Sequence, residues 1–241
     1  MHDLAQLITN WDRATFLAIN HGLKCGFLDR IILPITDLGL GQVQALIVLG
    51  VAIALTIRAG EVRWKTAFAD IRAGVRARRD WIGPLLVSFV VSGITSDVIK
   101  LYSPRLRPWW FYEKEHLAGH FLNITVETVT GIEPLKVHGF PSGHTATTFA
   151  LAVVLTILFH SQLKARPLIF AGWCVALSVA MSRMYLGSHW PLDVLGGALI
   201  GAASGWLAVA YCRSYARRHA DKRASNPVVR TDAALPNTEP S

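Results

Sequence analysis

Three short stretches of this chain concentrate residues that can do chemistry. They are Lys100-Leu-Tyr-Ser-Pro-Arg-Leu-Arg107-Pro108, Pro141-Ser142-Gly143-His144, and Ser182-Arg183-Met-Tyr-Leu-Gly187-Ser-His189-Trp-Pro-Leu-Asp193. Lys100, Arg107 and Arg183 suit a dianionic ligand such as phosphate, and a guanidinium fork can grip two oxygens at once. Ser142 stands where a helix N-cap is expected. The N–H groups of Gly143 and His144 would then be free at a helix N-terminus, an anion-binding position that glycine lets a ligand approach closely. His189 and Asp193 are four residues apart and share one face if a helix starts near His189. The carboxylate can hold one ring nitrogen protonated and leave the other free to attack. His144, from another element, can give a proton to a leaving oxygen. Two histidines, one anchored by a carboxylate, and three cations make a phosphoryl-transfer site that needs no metal.

Each residue also has a plainer structural reading. Ser142 can be only a helix cap, and Asp193 only a partner of a helix dipole. Gly143 and Gly187 can be turn residues, and Lys100, Arg105 and Arg107 can be cations that snorkel to the membrane surface. His189 alone can be an interfacial histidine. We adopt the snorkelling reading for Arg105, and expect Arg105→Ala to do little. For the rest, plain explanations would have to coincide many times within three clusters. Haem or zinc is the rival reading for His138, His144 and His189. They lack a local ligand spacing such as His-Glu-x-x-His, and nearby cations would repel a metal. No metal and no cofactor is expected.

The elements that must position these clusters are membrane helices. The chain has 241 residues, 52% apolar and only 17% charged, with a mean hydropathy of +0.37. A soluble domain carries about 25% charged residues. Disorder over most of the chain is excluded, and three dispersed cysteines exclude a small disulfide scaffold. A bilayer span needs about 20 apolar residues. Runs over about 38–57, 81–99, 145–159, 168–181 and 192–211 meet or approach this, with Asp97 near the end of the second and charge falling almost entirely between the runs. A sixth span is possible near the N-terminus. There, Leu4, Leu7, Ile8, Trp11, Ala14 and Ala18 share one helical face, with Asn10, Asp12, Arg13 and Asn20 elsewhere, which reads as a helix lying in the interface. A short helix should follow from about Asp29. No basic segment precedes an apolar core, so a cleaved signal peptide is not expected.

The net charge is +8, and its placement explains it. Lys and Arg gather in 58–80, 161–167 and from Arg213 onward. In a five-span chain these segments share one side, which the positive-inside rule makes cytoplasmic. The charge is therefore a topology signal, and no nucleic-acid partner is implied. All three chemical clusters fall on the opposite side. The expected fold class is an all-α, polytopic membrane bundle of five to six spans. Its divisions would be an N-terminal interfacial segment (1–30), a transmembrane domain (31–212), and a basic, partly disordered cytoplasmic tail (213–241). Oligomeric state is not legible in the chain.

In order and spacing, the three stretches resemble the signatures of the membrane-bound type-2 phosphatidic acid phosphatase superfamily. The resemblance covers most of the chain outside the tail and the first 30 residues. It implies a six-helix-type membrane core and metal-independent dephosphorylation of a lipid phosphate at the outer face of a cell or inner membrane. It further implies that His189 is the nucleophile that becomes phosphohistidine, that Asp193 orients it, and that His144 protonates the leaving group and then activates water. Lys100, Arg107, Ser142, Gly143 and Arg183 would hold the phosphate. Undecaprenyl pyrophosphate is the first expectation for substrate, beside phosphatidic acid, phosphatidylglycerol phosphate and lipid A. A phosphotransferase using the same phosphohistidine is the alternative. The loop 109–140, with Glu113, Lys114, Glu115, His116, His120, Glu127, Glu133, Lys136 and His138, is longer than the signatures require and could read a headgroup or be solvated surface.

Overall fold

The computed structural model describes residues 2–57, 67–115 and 136–224. These residues form the α-helices α1 (His2–Gly22), α2 (Gly26–Asp37), α3 (Gly41–Ile57), α4 (Ala67–Tyr102), α5 (Pro108–Lys114), α6 (Gly143–Phe159), α7 (Arg166–Tyr185) and α8 (Pro191–Ala224). Much of the sequence expectation for the tail, and the loop acids Glu127 and Glu133 with His116 and His120, lie outside the described residues.

Local chemistry sets several helix starts. The Cys25 Sγ accepts a hydrogen bond from the Leu28 N–H at the head of α2. Proline opens α5 and α8, where its missing N–H costs nothing and its fixed φ suits the first turn. At the head of α8 the Asp193 carboxylate also accepts from the Trp190 N–H at 2.9 Å, a reciprocal cap that links Trp190 to the first turn.

Among the described residues, three segments are long and apolar enough to cross a bilayer: Asp80–Tyr102, Leu163–Tyr185 and Pro191–His219. Gly26–Asp37 and Gly41–Gly50 pass the same test as a pair bent by 67°. The expected spans 81–99, 168–181 and 192–211 thus fall within α4, α7 and α8. The run 38–57 is α3 with its entry elbow, and 145–159 is α6. The protein is an all-helical, multi-pass membrane protein. The basic segment after Arg213 begins as a continuation of α8, which reaches Ala224.

The centre of the bundle is α6, packed against α8, α7, α4 and α3. Its sequence has no charge after His144, and its Ala146, Ala150, Ala152 and Val154 are buried, as suits a helix enclosed on several sides. Its closest neighbour is α8, and glycines explain how close. A Cβ added at Gly197, Gly201 or Gly205 would lie 2.4, 2.2 and 2.7 Å from the carbonyl oxygens of Ser142, Ala146 and Ala150. This four-residue stripe lets the two backbones touch, the way small residues bring membrane helices together. It also places the head of α8 beside the head of α6.

The N-terminal helix α1 carries the division of faces expected from its sequence, with the polar face turned to the protein. Leu4, Leu7, Ile8 and Trp11 are exposed, whereas Asp12, Phe16 and Asn20, spaced by four, are buried. The polar face therefore docks on the protein. Asn20 donates to the Tyr185 carbonyl at 2.7 Å, and Phe16 joins Tyr112 and Trp190 in an aromatic cluster. The apolar face is left for lipid, as in an interfacial helix.

Candidate active site

The three clusters meet at one end of the bundle, where the heads of α6 and α8 and the last turns of α4 and α7 converge. Backbone bonds tie them together. The Ser142 N–H donates to the Asp193 carbonyl at 2.9 Å, and the Gly139 N–H donates to the Arg105 carbonyl at 2.9 Å. The N–H groups of Ser188 and His189 both donate to the Arg183 carbonyl. Gly187 carries a φ of 68°, a left-handed turn that favours glycine and brings His189 back over the end of α7.

His189 is 2% exposed. Its Nδ1 lies 2.7 Å from the Gly139 carbonyl oxygen and 3.6 Å from the Asp193 Oδ2. A carbonyl can only accept, so Nδ1 carries the proton and Nε2 of the neutral ring keeps its lone pair. The sequence assigned this orienting role to Asp193 alone. In the structure the direct partner is a backbone carbonyl, and Asp193 stands behind it. The fit at Gly139 is tight: a Cβ would sit 3.2 Å from the Asp193 Oδ2 and 3.3 Å from the Arg105 carbonyl. Burial, and then the Arg107 and Arg183 guanidiniums, hold the His189 pKa well below the ordinary imidazole value. Its ring is accordingly neutral at neutral pH.

The cations surround the same site. Arg107 and Arg183 are both buried. Arg107 Nη1 donates to the Ser188 carbonyl at 3.4 Å, and Arg183 Nη1 donates to Thr36 Oγ1 at 2.8 Å. The Nε of each has no hydrogen-bond partner. Lys100 Nζ lies 2.8 Å from Asp97 Oδ1 in a surface-exposed pair, which is weak and exchangeable. It also lies beside Gly143, where a Cβ would be 3.0 Å from the ammonium. All three cations are near enough to bear electrostatically on both His144 and His189.

Ser142 occupies the N-cap position of α6 but makes no capping side-chain bond. Its Oγ instead accepts from Thr145 Oγ1 at 2.9 Å. His144 lines a cavity of about 440 Å³ together with Lys100, Gly143, Gly39 and Gly93. Gly39, at the elbow between α2 and α3, backs its ring: a Cβ there would come within 2.8 Å of His144 Cδ2. The structure thus brings together all eight residues singled out for the site.

Arg105 requires a correction. It does not snorkel. Its Nη1 donates to Asp193 Oδ1 at 2.7 Å, and its Nη2 donates to Asp12 Oδ2. Asp12 Oδ1 in turn accepts from the Leu192 N–H at 2.8 Å. One arginine therefore clamps a carboxylate of α1 to the carboxylate behind His189. The reason is electrostatic: Asp12 and Asp193 are buried, and buried charges need a partner. Sequence reasoning also missed Asp12, Gly39 and the Gly139 carbonyl. Asp12 did carry one signal, a carboxylate on the polar face of a helix whose other face is apolar.

Residues 81–217 match the family model of the PAP2 superfamily. The chain is 29% identical over 161 residues to the undecaprenyl-diphosphatase of Sulfolobus acidocaldarius, covering 66% of this chain and 68% of that protein. It is 28% identical to the lipid A 1-phosphatase of Rhizobium etli, covering 74% of this chain and 68% of that protein. Its fold is similar to the crystal structure of Aquifex aeolicus LpxE, with a TM-score of 0.56, 24% identity, and coverage of 82% of this chain and 94% of that one. These two relatives are both named as phosphatases of lipid-borne phosphates. With the matched segment spanning more than half of its length and containing all three clusters, the chain belongs to the PAP2 superfamily.

Proposed function

We propose that the protein is a metal-independent lipid phosphatase that works through a phosphohistidine. Its substrate is a lipid phosphate or pyrophosphate of the undecaprenyl, phosphatidic acid, phosphatidylglycerol phosphate or lipid A type. The observation that carries this reading is the pair of buried guanidiniums, Arg107 and Arg183, each with an unpaired Nε, close to a histidine whose Nδ1 is committed to a carbonyl. Buried donors without acceptors call for an anion, and a ring with Nδ1 protonated offers Nε2 as nucleophile.

In the first step His189 Nε2 attacks phosphorus and forms the N–P bond. The bond from phosphorus to the lipid oxygen, or to the bridging oxygen of a pyrophosphate, breaks, and His144 protonates the leaving oxygen. In the second step His144 takes a proton from water, the resulting hydroxide attacks phosphorus, and the N–P bond breaks to release phosphate. Lys100, Arg107, Arg183, the Ser142 hydroxyl and the N–H groups at Gly143 and His144 hold the phosphoryl oxygens and stabilise the charge that grows on them. Arg105 and Asp12 position Asp193. The chemistry lies at the outer face of a cell or inner membrane, periplasmic in a Gram-negative host, with the C-terminus cytoplasmic. Clustering of Lys and Arg at the opposite ends of the spans supports that orientation.

The test is phosphate release by detergent-purified protein in EDTA, with those lipids as a panel. Release from a lipid that EDTA leaves undiminished supports the proposal. Loss of activity in EDTA, restored by a divalent ion, would remove metal independence. Transfer of label to a second lipid in place of release would replace hydrolysis by phosphotransfer.

A further inference from the structure

A second cavity, of about 260 Å³, lies deeper in the bundle between α3, α6 and α7. Its walls are apolar, with Ile47 and Val48 from α3, Leu151 and Leu155 from α6, and Val175 from α7. Gln44, in the same wall, is out of character. It is 2% exposed, and neither Nε2 nor Oε1 has a hydrogen-bond partner. A buried amide left unpaired is costly, whereas a leucine in the same space would not be. The other polar wall residue, Thr148, is already engaged, donating to the carbonyls of His144 and Thr145. Gln44 is therefore the free hydrogen-bonding group in an otherwise oily space.

The cavity adjoins the site. Thr148 is one helical turn below His144 on α6. Leu38, in the cavity wall, precedes Gly39, whose backbone packs on the His144 ring. A lipid whose phosphate rests at His144 and His189 can reach this space by running its hydrophobic body along α6. Acylated lipid phosphates carry an ester or amide carbonyl a few bonds from phosphorus. A polyprenyl chain carries no such group and would leave the amide unpaired. We propose that this cavity takes the proximal part of an acyl chain, with Gln44 Nε2 donating to its ester or amide carbonyl, so that acylated lipid phosphates are favoured over polyprenyl ones. The Oε1 remains available to accept from an amide N–H or a chain hydroxyl. This inference rests on the proposed function and narrows its substrate class.

The experiment compares two phosphatidic acids of equal chain length, one with ester-linked and one with ether-linked chains, and adds undecaprenyl pyrophosphate. The ether lipid lacks only the carbonyls. Wild-type protein should show a kcat/KM about ten-fold higher for the ester lipid, mostly through KM. In Gln44→Leu that ratio should fall towards one, through loss on the ester lipid. The Tm of the ligand-free variant should be equal or higher, because an unpaired amide has been removed. A ratio near one in wild type, a ratio that survives Gln44→Leu, or turnover confined to the polyprenyl substrate would overturn the inference and leave the lipid phosphatase standing. A lower Tm would show that the amide is satisfied within the protein and would overturn it as well. No phosphate release from any of the lipids would overturn the proposed function, and the inference with it.

Discussion

On the His189 side of the site the polar atoms are already engaged, whereas on the Arg107 and Arg183 side donors are left without partners. Asp193 receives Arg105 on one oxygen and the Trp190 N–H on the other. Asp12 receives Arg105 and the Leu192 N–H, and His189 Nδ1 meets the Gly139 carbonyl. Elsewhere in the site, the Nε atoms of both arginines are buried and unpaired. The difference separates two physical tasks. A nucleophile has to be held still, which saturated hydrogen bonds in a low-dielectric setting accomplish. A phosphate site has to keep its donors for the ligand, and the protein tolerates their unpaired state because the charge is preorganised for it.

The largest expected effect comes from removing the reacting atom on the saturated side. His189→Ala should lower turnover by about 10⁴-fold or more, with helix content by circular dichroism unchanged. Near-normal phosphate release would break the assignment of the nucleophile. Next comes the unsaturated side. Arg183→Met should lower kcat/KM by about 10²- to 10³-fold. Yet its Tm should be unchanged or higher, since replacing a buried, incompletely partnered charge by an apolar side chain of similar size is neutral or stabilising. A clear drop in Tm would mean that Arg183 is a structural cation.

Arg105→Ala sharpens the contrast from the other direction. It strands two buried carboxylates, so it should destabilise the fold by about 3–5 kcal/mol. Turnover should fall by about 10- to 100-fold, the usual scale for residues that orient a reacting group. Kinetics and thermal melts on the same preparation separate these effects, and Asp12→Asn should weaken both to a lesser degree. A silent Arg105→Ala would restore the snorkelling reading.

The smallest effect is a shift in pH dependence. Neutral His189 attacks and the imidazolium does not. Its pKa is held below the ordinary value of 6.5, so activity is present above that lowered pKa and lost as pH falls through it. The acid limb of kcat/KM should therefore have its midpoint below pH 6.5. Arg107→Met removes a neighbouring positive charge, which eases protonation of the ring, and should move that limb up by about one unit. A limb that stays in place would show that the Arg107 charge does not contribute to lowering the pKa.

Much of the fold and the site was legible because it depends on local pattern. Apolar runs of bilayer length identify α3, α4, α7 and α8 whatever their partners, because each must satisfy its backbone internally in lipid. The spacings Lys100 to Arg107, Ser142 to His144 and Arg183 to Asp193 belong to helix ends and tight turns, so residue type and separation suffice to read them. Arg105 was misread because its partners are 88 and 93 residues away in the chain. Nothing near it in sequence distinguishes a clamp from a snorkelling cation. The Gly139 carbonyl was invisible for another reason: a backbone acceptor has no residue identity.

The sequence by itself determined an all-helical membrane protein, the helix ends that carry the chemistry, and the residue types available there. Tertiary structure alone decided which charges neutralise each other and which stay free. Gly197, Gly201 and Gly205 let α8 touch α6 and set the separation of His189 from His144. The polar face of α1 supplies Asp12, and the elbow at Gly39 closes on His144. Hydrophobic burial and backbone satisfaction act along a chain and can be read from it. Pairing of buried charges and contact between backbones depend on distance in space, and that is settled only when the helices pack.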